Sequence, residues 1–474
     1  MRNRIKIAAL IWIALLGLQA SAQPHSLPVG RALLISDIHL DPLADPSIVK
    51  RLIAAPVTQW TWIFRSSKQS LSTYGSDANY PLVSSALTAA AAQGPFDYVV
   101  FTGDALRHDF SSAFIAAGGT ASQFPAFATK AEVFVIDELQ RKFRVPVLAA
   151  IGNNDSSCGD YQIPPHGPFL AAVADQLTVL AKSPEAKAAF RIGGFFSIPH
   201  PTVANQDIIV LNSVFWSTSY SSCVANSGDP GATELDWLSW KLYTAKILRR
   251  GVTLVMHIPP GINPFSSQGQ SCENAVPFWQ DQYSQRFSDL MYTYADVVQL
   301  AFAGHTHMDD FRVSVSDTPS LPLRITPAVS PLFDNNPGFS VLSYDLKTAA
   351  VSDFTTFFIA LSSQTPPLWA KEYQFSAAYG VKAFNATSLA TVAASIRSGG
   401  ATLKIFEKNY AVSAPSPINS SNWRFYSCAQ TELTKTNYTN CVCGASSTRR
   451  VFHSGQSGFR IDEFVPPTFG PVSN

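Results

Sequence analysis

Seven side chains of metal-ligating type recur at the ends of apolar, β-prone runs: Asp37, His39, Asp104, Asn153, His257, His305 and His307. They sit in short motifs, Asp37-x-His39, Gly103-Asp104, Gly152-Asn153-Asn154-Asp155, an isolated His257, and Gly304-His305-Thr306-His307. Carboxylate, amide and imidazole donors without thiolate suit divalent Zn, Mn or Fe. Two such ions held close together are a device for attacking phosphorus esters. Each motif alone has a plainer reading. Asp-x-His and Gly-Asp are common structural pairs, and His257 before Pro259-Pro260 reads equally well as a core histidine. The paired histidines after an apolar strand are stronger, and the conjunction of all five motifs in this order is what points to a metal centre.

One fold must gather ligands spread from residue 37 to residue 307. The runs at 31–36, 96–102, 145–151, 207–212, 251–256 and 297–303 are short, rich in Val, Ile, Leu or Phe, and closed by small or turn-forming residues, as buried strands are. Ala-rich stretches at 82–93, 130–143, 169–180 and 234–249 read as helices between them. Alternating strands and helices predict an α/β architecture of stacked or doubly wound mixed sheets flanked by helices. Such sheets place ligands beyond the carboxyl ends of their strands. Strands at 340–344 and 351–358 are expected to close the sheet. A helix at 387–397 and Pro/Ser/Asn-rich loops follow. The expected organisation is a signal peptide at 1–22, a catalytic domain at 23–360 and a small helical, disulfide-bearing C-terminal lobe at 361–474.

Composition supports a sizeable core, with 46% apolar and 14% charged residues. The net charge of +1, with no clustered Lys/Arg stripe, argues against a duplex nucleic acid as partner. Arg2, Arg4 and Lys6, the apolar run 7–18 and Ala20-Ser21-Ala22 read as a cleaved secretory signal. The alternative is a membrane anchor, for which the run is short. No later stretch is apolar enough to span a bilayer, so a secreted or periplasmic protein is expected. Six cysteines fit that compartment. Cys223 and Cys272 flank a strand and are candidates to bridge, Cys428, Cys441 and Cys443 crowd the far end, and Cys158 lies beside the Asn153 motif; the pairing stays open. Asn385, Asn419 and Asn437 are glycosylation sequons.

The motif order resembles the calcineurin-like metallophosphoesterase family over roughly residues 30–345. Within it, His257-Ile258-Pro259-Pro260-Gly261, Thr102-Gly103-Asp104 with His108, and the segment 327–339 look most like the acid-sphingomyelinase-like branch. That branch's saposin-like domain is expected to be missing, because only about eight residues separate the expected signal cleavage from the first strand. The resemblance implies that Asp37, His39 and His307 hold one metal, that Asn153, His257 and His305 hold the other, and that Asp104 bridges them. On the family's pattern a hydroxide between the ions attacks phosphorus in line, and His108 serves the leaving oxygen as an acid. The bland reading of His108 is a strand-end histidine that orients Asp104. Where the family has Gly-Asn-His, this chain has Asn154, which donates a hydrogen bond but transfers no proton.

The resemblance implies a secreted phosphodiesterase of small phosphoesters, sphingomyelin-like or nucleotide. Residues 106–109 and 152–155 also resemble endopolyphosphatase relatives. That leaves a polyphosphatase or a phosphomonoesterase as the runner-up, and a non-catalytic binder of phosphorylated ligands as the second class. Arg107 would meet a polyanion or sit in a salt bridge. Trp60, Trp62, Phe64, Phe215, Trp216, Phe278 and Trp279 would line a cleft or, as is commoner for aromatics, fill the core.

Overall fold

A computed structural model describes residues 29–178, 183–269, 271–314, 320–362 and 367–444, and the segment read as a signal peptide lies outside them. Its strands, in chain order, are β1 (Val29–Ile35), β2 (Tyr98–Phe101), β3 (Val147–Ala149), β4 (Phe196–Pro199), β5 (Gln206–Val210), β6 (Gly251–Val255), β7 (Val298–Ala303), β8 (Asp310–Ser314), β9 (Ser320–Ile325), β10 (Gly338–Asp345), β11 (Val351–Ile359) and β12 (Trp369–Gln374). They form two six-stranded mixed sheets, ordered β12-β11-β10-β1-β2-β3 and β4-β5-β6-β7-β9-β8. β1, β2 and β3 run parallel, and so do β5, β6, β7 and β9.

The parallel strands are covered on both faces, so they read as continuous apolar runs rather than alternating ones. Ala32, Leu33, Leu34 and Ile35 are buried, as is every residue of β2 and β6. Burying each such Leu or Ile side chain is worth roughly 2 kcal/mol. The sheets face each other. Arg324 of β9 reaches Ser340 of β10 at 3.2 Å and Thr356 of β11 at 3.4 Å, and the Tyr98 ring meets His200 at 5.0 Å.

Helices flank the sheets where their caps dictate. Asn79 accepts from the Leu82 amide to open Tyr80–Ala91, and Asp229 does the same for Ala232 to open Pro230–Ile247, each with proline in the first turn. Phe124–Phe143 begins earlier than its Ala-rich part suggests, because Phe124, Phe127 and Ala128 extend its buried stripe. No described helix is long and apolar enough to cross a membrane.

After β11 the chain adds β12 to the edge of the first sheet and continues into helices Ala386–Arg397, Ala401–Tyr410, Trp423–Ala429 and Lys435–Cys443. Residues 410–412 grip the rest of the molecule through backbone carbonyls. Tyr410 O accepts from the Asp309 amide at 2.8 Å, Ala411 O from the Asn336 amide at 3.2 Å, and Val412 O from Asn336 Nδ2 at 2.8 Å.

The expected bridge between Cys223 and Cys272 is not made. The disulfides are Cys158–Cys223, Cys272–Cys443 and Cys428–Cys441. The reason is which loops lie together. The Cys223 loop runs beside the Asn153 loop, where Ser221 N–H donates to Tyr161 O at 3.2 Å. Cys272 instead lies against the final described helix. The three sequon asparagines are exposed.

Candidate metal centre

The parallel strands deliver their following loops to one end of the molecule. Asp37 and His39 follow β1, Asp104 follows β2, Asn153 follows β3, His257 follows β6, and His305 and His307 follow β7. The backbone there is unusual. Asp37, His39, Asp104, His305 and His307 have φ of 46°, 42°, 59°, 71° and 62°, in the left-handed region that side-chain-bearing residues avoid. Each such residue costs about 1–3 kcal/mol and persists only where its surroundings over-determine it. Here they do. Asp37 N–H donates to Gly103 O at 3.0 Å, and His39 N–H donates to Asp104 O at 3.0 Å. The Asp155 carboxylate accepts from the backbone amides of Asp104, Ala105, Leu106 and Gly152 at 2.8–3.1 Å, clasping two of the loops together.

The seven side chains converge in two groups that share one carboxylate. In the first group, Nε2 of His39 and Nε2 of His307 face each other at 3.0 Å, with Asp37 Oδ1 at 3.8 and 3.6 Å from them. In the second, Asn153 Oδ1 lies 3.0 Å from His257 Nε2 and 2.9 Å from His305 Nδ1. Asp104 Oδ2 stands between, 3.5 Å from His39 Nε2 and 3.1 Å from His257 Nε2. The other ring nitrogens of His39 and His257 meet the carbonyl oxygens of Leu106 and Thr102, each at 2.8 Å. A carbonyl only accepts, so Nδ1 carries the proton and Nε2 turns a lone pair inward. Asn153 Nδ2 donates to Asp160 Oδ1 at 2.6 Å, which aims its amide oxygen at the histidines. Inward-facing lone pairs at such separations fit cations of the Zn, Mn or Fe kind.

The charges agree with that fit. Burial pulls His39 and His257 down, but Asp104 acting together with Asp37 and the other nearby carboxylates raises them to about 10 and 9. Burial holds His305 and His307 down at about 3. Burial would lift Asp104, yet His257 and His39 keep it well below the usual carboxylate range. Without cations the cluster therefore carries protons on some imidazoles to balance its carboxylates.

His108 is not tied to Asp104. Its ring stacks on His39 with centroids 4.0 Å apart, and its Nδ1 lies 3.0 Å from Asp77 Oδ1. Ser330 Oγ donates to the same Asp77 oxygen at 3.1 Å. Asn154 donates from its amide to Asp104 Oδ2 at 3.0 Å and from its backbone N–H to Oδ1 at 2.9 Å. Asp77 and Asp160 escaped the sequence reading because each lies in a loop with no strand-end signature, although Asp77 stands two residues before a helix cap.

Residues 30–309 match the Calcineurin-like phosphoesterase family. The chain belongs to that family. Residues 322–448 match the Acid sphingomyelin phosphodiesterase C-terminal region. The chain is 27% identical over 477 residues to Acid sphingomyelinase-like phosphodiesterase 3b of Homo sapiens, covering 93% of this chain and 95% of that protein. It is 26% identical over 318 residues to Sphingomyelinase phosphodiesterase D of Dictyostelium discoideum, covering 65% and 67%. It is 25% identical over 332 residues to Cyclic GMP-AMP phosphodiesterase SMPDL3A of Homo sapiens, covering 66% and 68%. The family is hydrolytic and these relatives are phosphodiesterases by name, so this chain is an enzyme, a phosphoric ester hydrolase. Family and donor clusters together suggest two divalent ions.

In this calcineurin-like phosphoesterase Arg107 is an ion-pair partner, 3.4 Å from Asp41 and 3.9 Å from Asp77. Trp60, Phe64, Phe215, Trp216 and Trp279 are core, while Trp62 is exposed. Phe278 is buried, but its ring lies 5.4 Å from that of His305. Two aromatics not singled out in the sequence also border the centre. Phe333, half-exposed, has its ring 4.6 Å from His307 and 5.7 Å from His108. The Tyr161 ring lies 6.3 Å from His305.

Proposed function

We propose that this enzyme is a secreted phosphodiesterase dependent on two divalent ions, zinc by preference with manganese or iron as alternatives. Asp37, His39 and His307 would hold one ion; Asn153, His257 and His305 would hold the other; Asp104 would serve both. The observation that carries this reading is the position of Asp104 Oδ2, within 3.5 Å of a nitrogen from each group. When bound, the ions supply Lewis acidity, clamp phosphoryl oxygens and make water a nucleophile at neutral pH.

The chain's own residues do the rest. Asp77 holds the Nδ1 proton of His108 and so leaves Nε2 to serve the leaving oxygen. Asn154 offers an amide N–H beside Asp104, where it can donate to a phosphoryl oxygen but supplies no proton. Phe333 and Phe278 form apolar walls at the His307 and His305 ends. The substrate class is a small phosphodiester, a phospholipid head group or a nucleotide. The loss of one family acid at Asn154 supports a second reading, a polyphosphatase, because a phosphate leaving group needs no protonation; a phosphomonoesterase on the same scaffold is the other alternative.

A hydrolysis panel on metal-reconstituted protein separates these. Bis-(p-nitrophenyl) phosphate, p-nitrophenyl phosphate, ATP, sphingomyelin and polyphosphate would each be run with wild type and His108→Ala. Turnover of diesters, with that of sphingomyelin lost in the variant, supports the phosphodiesterase. Turnover of ATP or polyphosphate alone, unchanged in the variant, favours the second reading.

A further inference from the structure

Two residues beyond His307, the Asp309 carboxylate is filled from every side. Arg324 donates to both oxygens, at 2.6 and 2.7 Å. Tyr373 of β12 donates its hydroxyl to Oδ1 at 2.7 Å, and Thr356 of β11 donates to Oδ2 at 3.0 Å. The Asp309 amide donates to Tyr410 O at 2.8 Å. Asp309 and Arg324 are buried, and the guanidinium carbon lies 4.2 Å over the Phe354 ring. Four charge-assisted hydrogen bonds therefore fix this carboxylate in place.

The His305–His307 turn depends on fixed ends, since both histidines hold left-handed backbone. Its entry is fixed: Gly304 N–H donates to His257 O at 2.9 Å, and β7 is paired on both sides. Its middle is held by the His305 amide on the Asp37 carboxylate, 3.1 Å from each oxygen. Its exit passes through Met308 directly into Asp309. Of the four residues that fix the exit, Tyr373 and Tyr410 come from chain beyond β11.

We propose that Tyr373, acting through Asp309, is a positioning residue for the His305–His307 turn, so that the segment after β11 sets how tightly the centre holds its metal. This rests on the metal-centre reading above. It assigns the C-terminal segment a part in the centre although it contributes none of the seven donors. Arg324 is a poor probe, because its removal strands a buried carboxylate. Tyr373→Phe keeps the ring and deletes one donor.

The test is Mn2+ titration of full-length protein stripped by chelator, comparing wild type, Tyr373→Phe and Tyr344→Phe, with kcat at saturating metal. Tyr344 supplies the control. Its hydroxyl donates to Asp97 at 2.8 Å, but it pairs with Gly30 at the opposite end of β1. The expected result is about tenfold weaker Mn2+ binding in Tyr373→Phe, the scale of lost outer partners. Its kcat at saturation should stay near wild type, and Tyr344→Phe should bind as wild type does. Equal affinity in Tyr373→Phe and wild type, or equal weakening in both variants, overturns the proposal. A wild type that binds neither Mn2+ nor Zn2+ overturns the metal-centre reading itself, and this proposal with it; one that binds Zn2+ alone is compared with both variants in Zn2+ under the same criteria.

Discussion

Asp77 holds His108 with both of its oxygens, Oδ1 lying 3.0 Å from the ring Nδ1 and Oδ2 accepting the backbone N–H at 2.9 Å. Burial works against the Asp77 charge, but the bonds from His108 and the nearby His39 bring its pKa down to about 2. It is therefore an acceptor at any working pH, so the Nδ1 proton of His108 is held by Asp77 and Nε2 is the nitrogen left to hand a proton to the leaving oxygen. Asp77→Asn should lower kcat about 10- to 100-fold with KM little changed, measured on an alkyl-leaving diester. With a p-nitrophenolate leaving group the loss should be smaller, because that group departs without a proton. Equal losses on both substrates would mean that His108 does not serve the leaving oxygen.

The histidines make the metal-free protein's stability depend on pH in a specific shape. His39 and His257 have folded pKa values raised to about 10 and 9, above the unfolded 6.5. Their contribution is whole below 6.5 and is lost as pH rises through 9 to 10. His305 and His307 have folded values lowered to about 3, so they penalise folding as pH falls from 6.5 toward 3. Thermal scans in chelator should therefore peak near pH 6.5. Loading with Mn2+ requires neutral imidazoles, so it should abolish the alkaline decline. A chelated protein whose Tm keeps rising to pH 9 would contradict the charge balance described for the cluster.

Gly304 has no room for a side chain. A Cβ there would fall 2.0 Å from Ser36 Oγ and 2.6 Å from Asp37 Oδ2. Gly304→Ala must push the Asp37 carboxylate out of place, at about 1–3 kcal/mol of overpacking. The expected outcome is a folded protein that binds one metal ion fewer, read by elemental analysis after gel filtration. Gly118→Ala is no such test of space, since its Cβ would meet nothing within 4 Å.

Asn154→His restores the residue that the family pattern has at this position. The Asn154 amide already reaches Asp104 Oδ2 at 3.0 Å, so an imidazole there enters the centre rather than solvent. Hydrolysis of diesters with alkyl leaving groups should rise about tenfold or more, within the usual reach of one general acid. Hydrolysis of ATP should not. A variant unchanged on both would make Asn154 a purely structural donor.

The strand-end motifs were legible because a parallel sheet turns chain order into position. An apolar run closed by Asp, Asn or His puts that residue beyond a carboxyl end, whatever its distance along the chain. The fold class followed from the same alternation. The short antiparallel edges β4, β8 and β12, and β9 between β7 and β8, were not legible. β12, Trp-Ala-Lys-Glu-Tyr-Gln, has no clean alternation because an edge strand beside a bulged partner faces mixed surroundings. Asp77 and Asp160 were missed for a different reason. Asp77 meets His108, Ser330 and Arg107 from a loop far from each in the chain, and Asp160 meets Asn153 from within the same loop; no strand-end spacing encodes either contact. Cysteine pairing failed likewise, since it depends on which loops meet and not on which strand they flank.

The position of β1 in its sheet bears on how the molecule is made. β1 carries Asp37 and His39 at its end, and it lies between β2 and β10. β2 follows it closely in the chain, but β10 begins only at Gly338. During synthesis, β1 keeps one bare edge of backbone donors and acceptors until most of the chain has left the ribosome. An unpaired apolar edge of this kind is a template for wrong partners. The enzyme's vulnerable period is therefore its assembly, and its yield should depend on whatever shields that edge while the chain is still being completed.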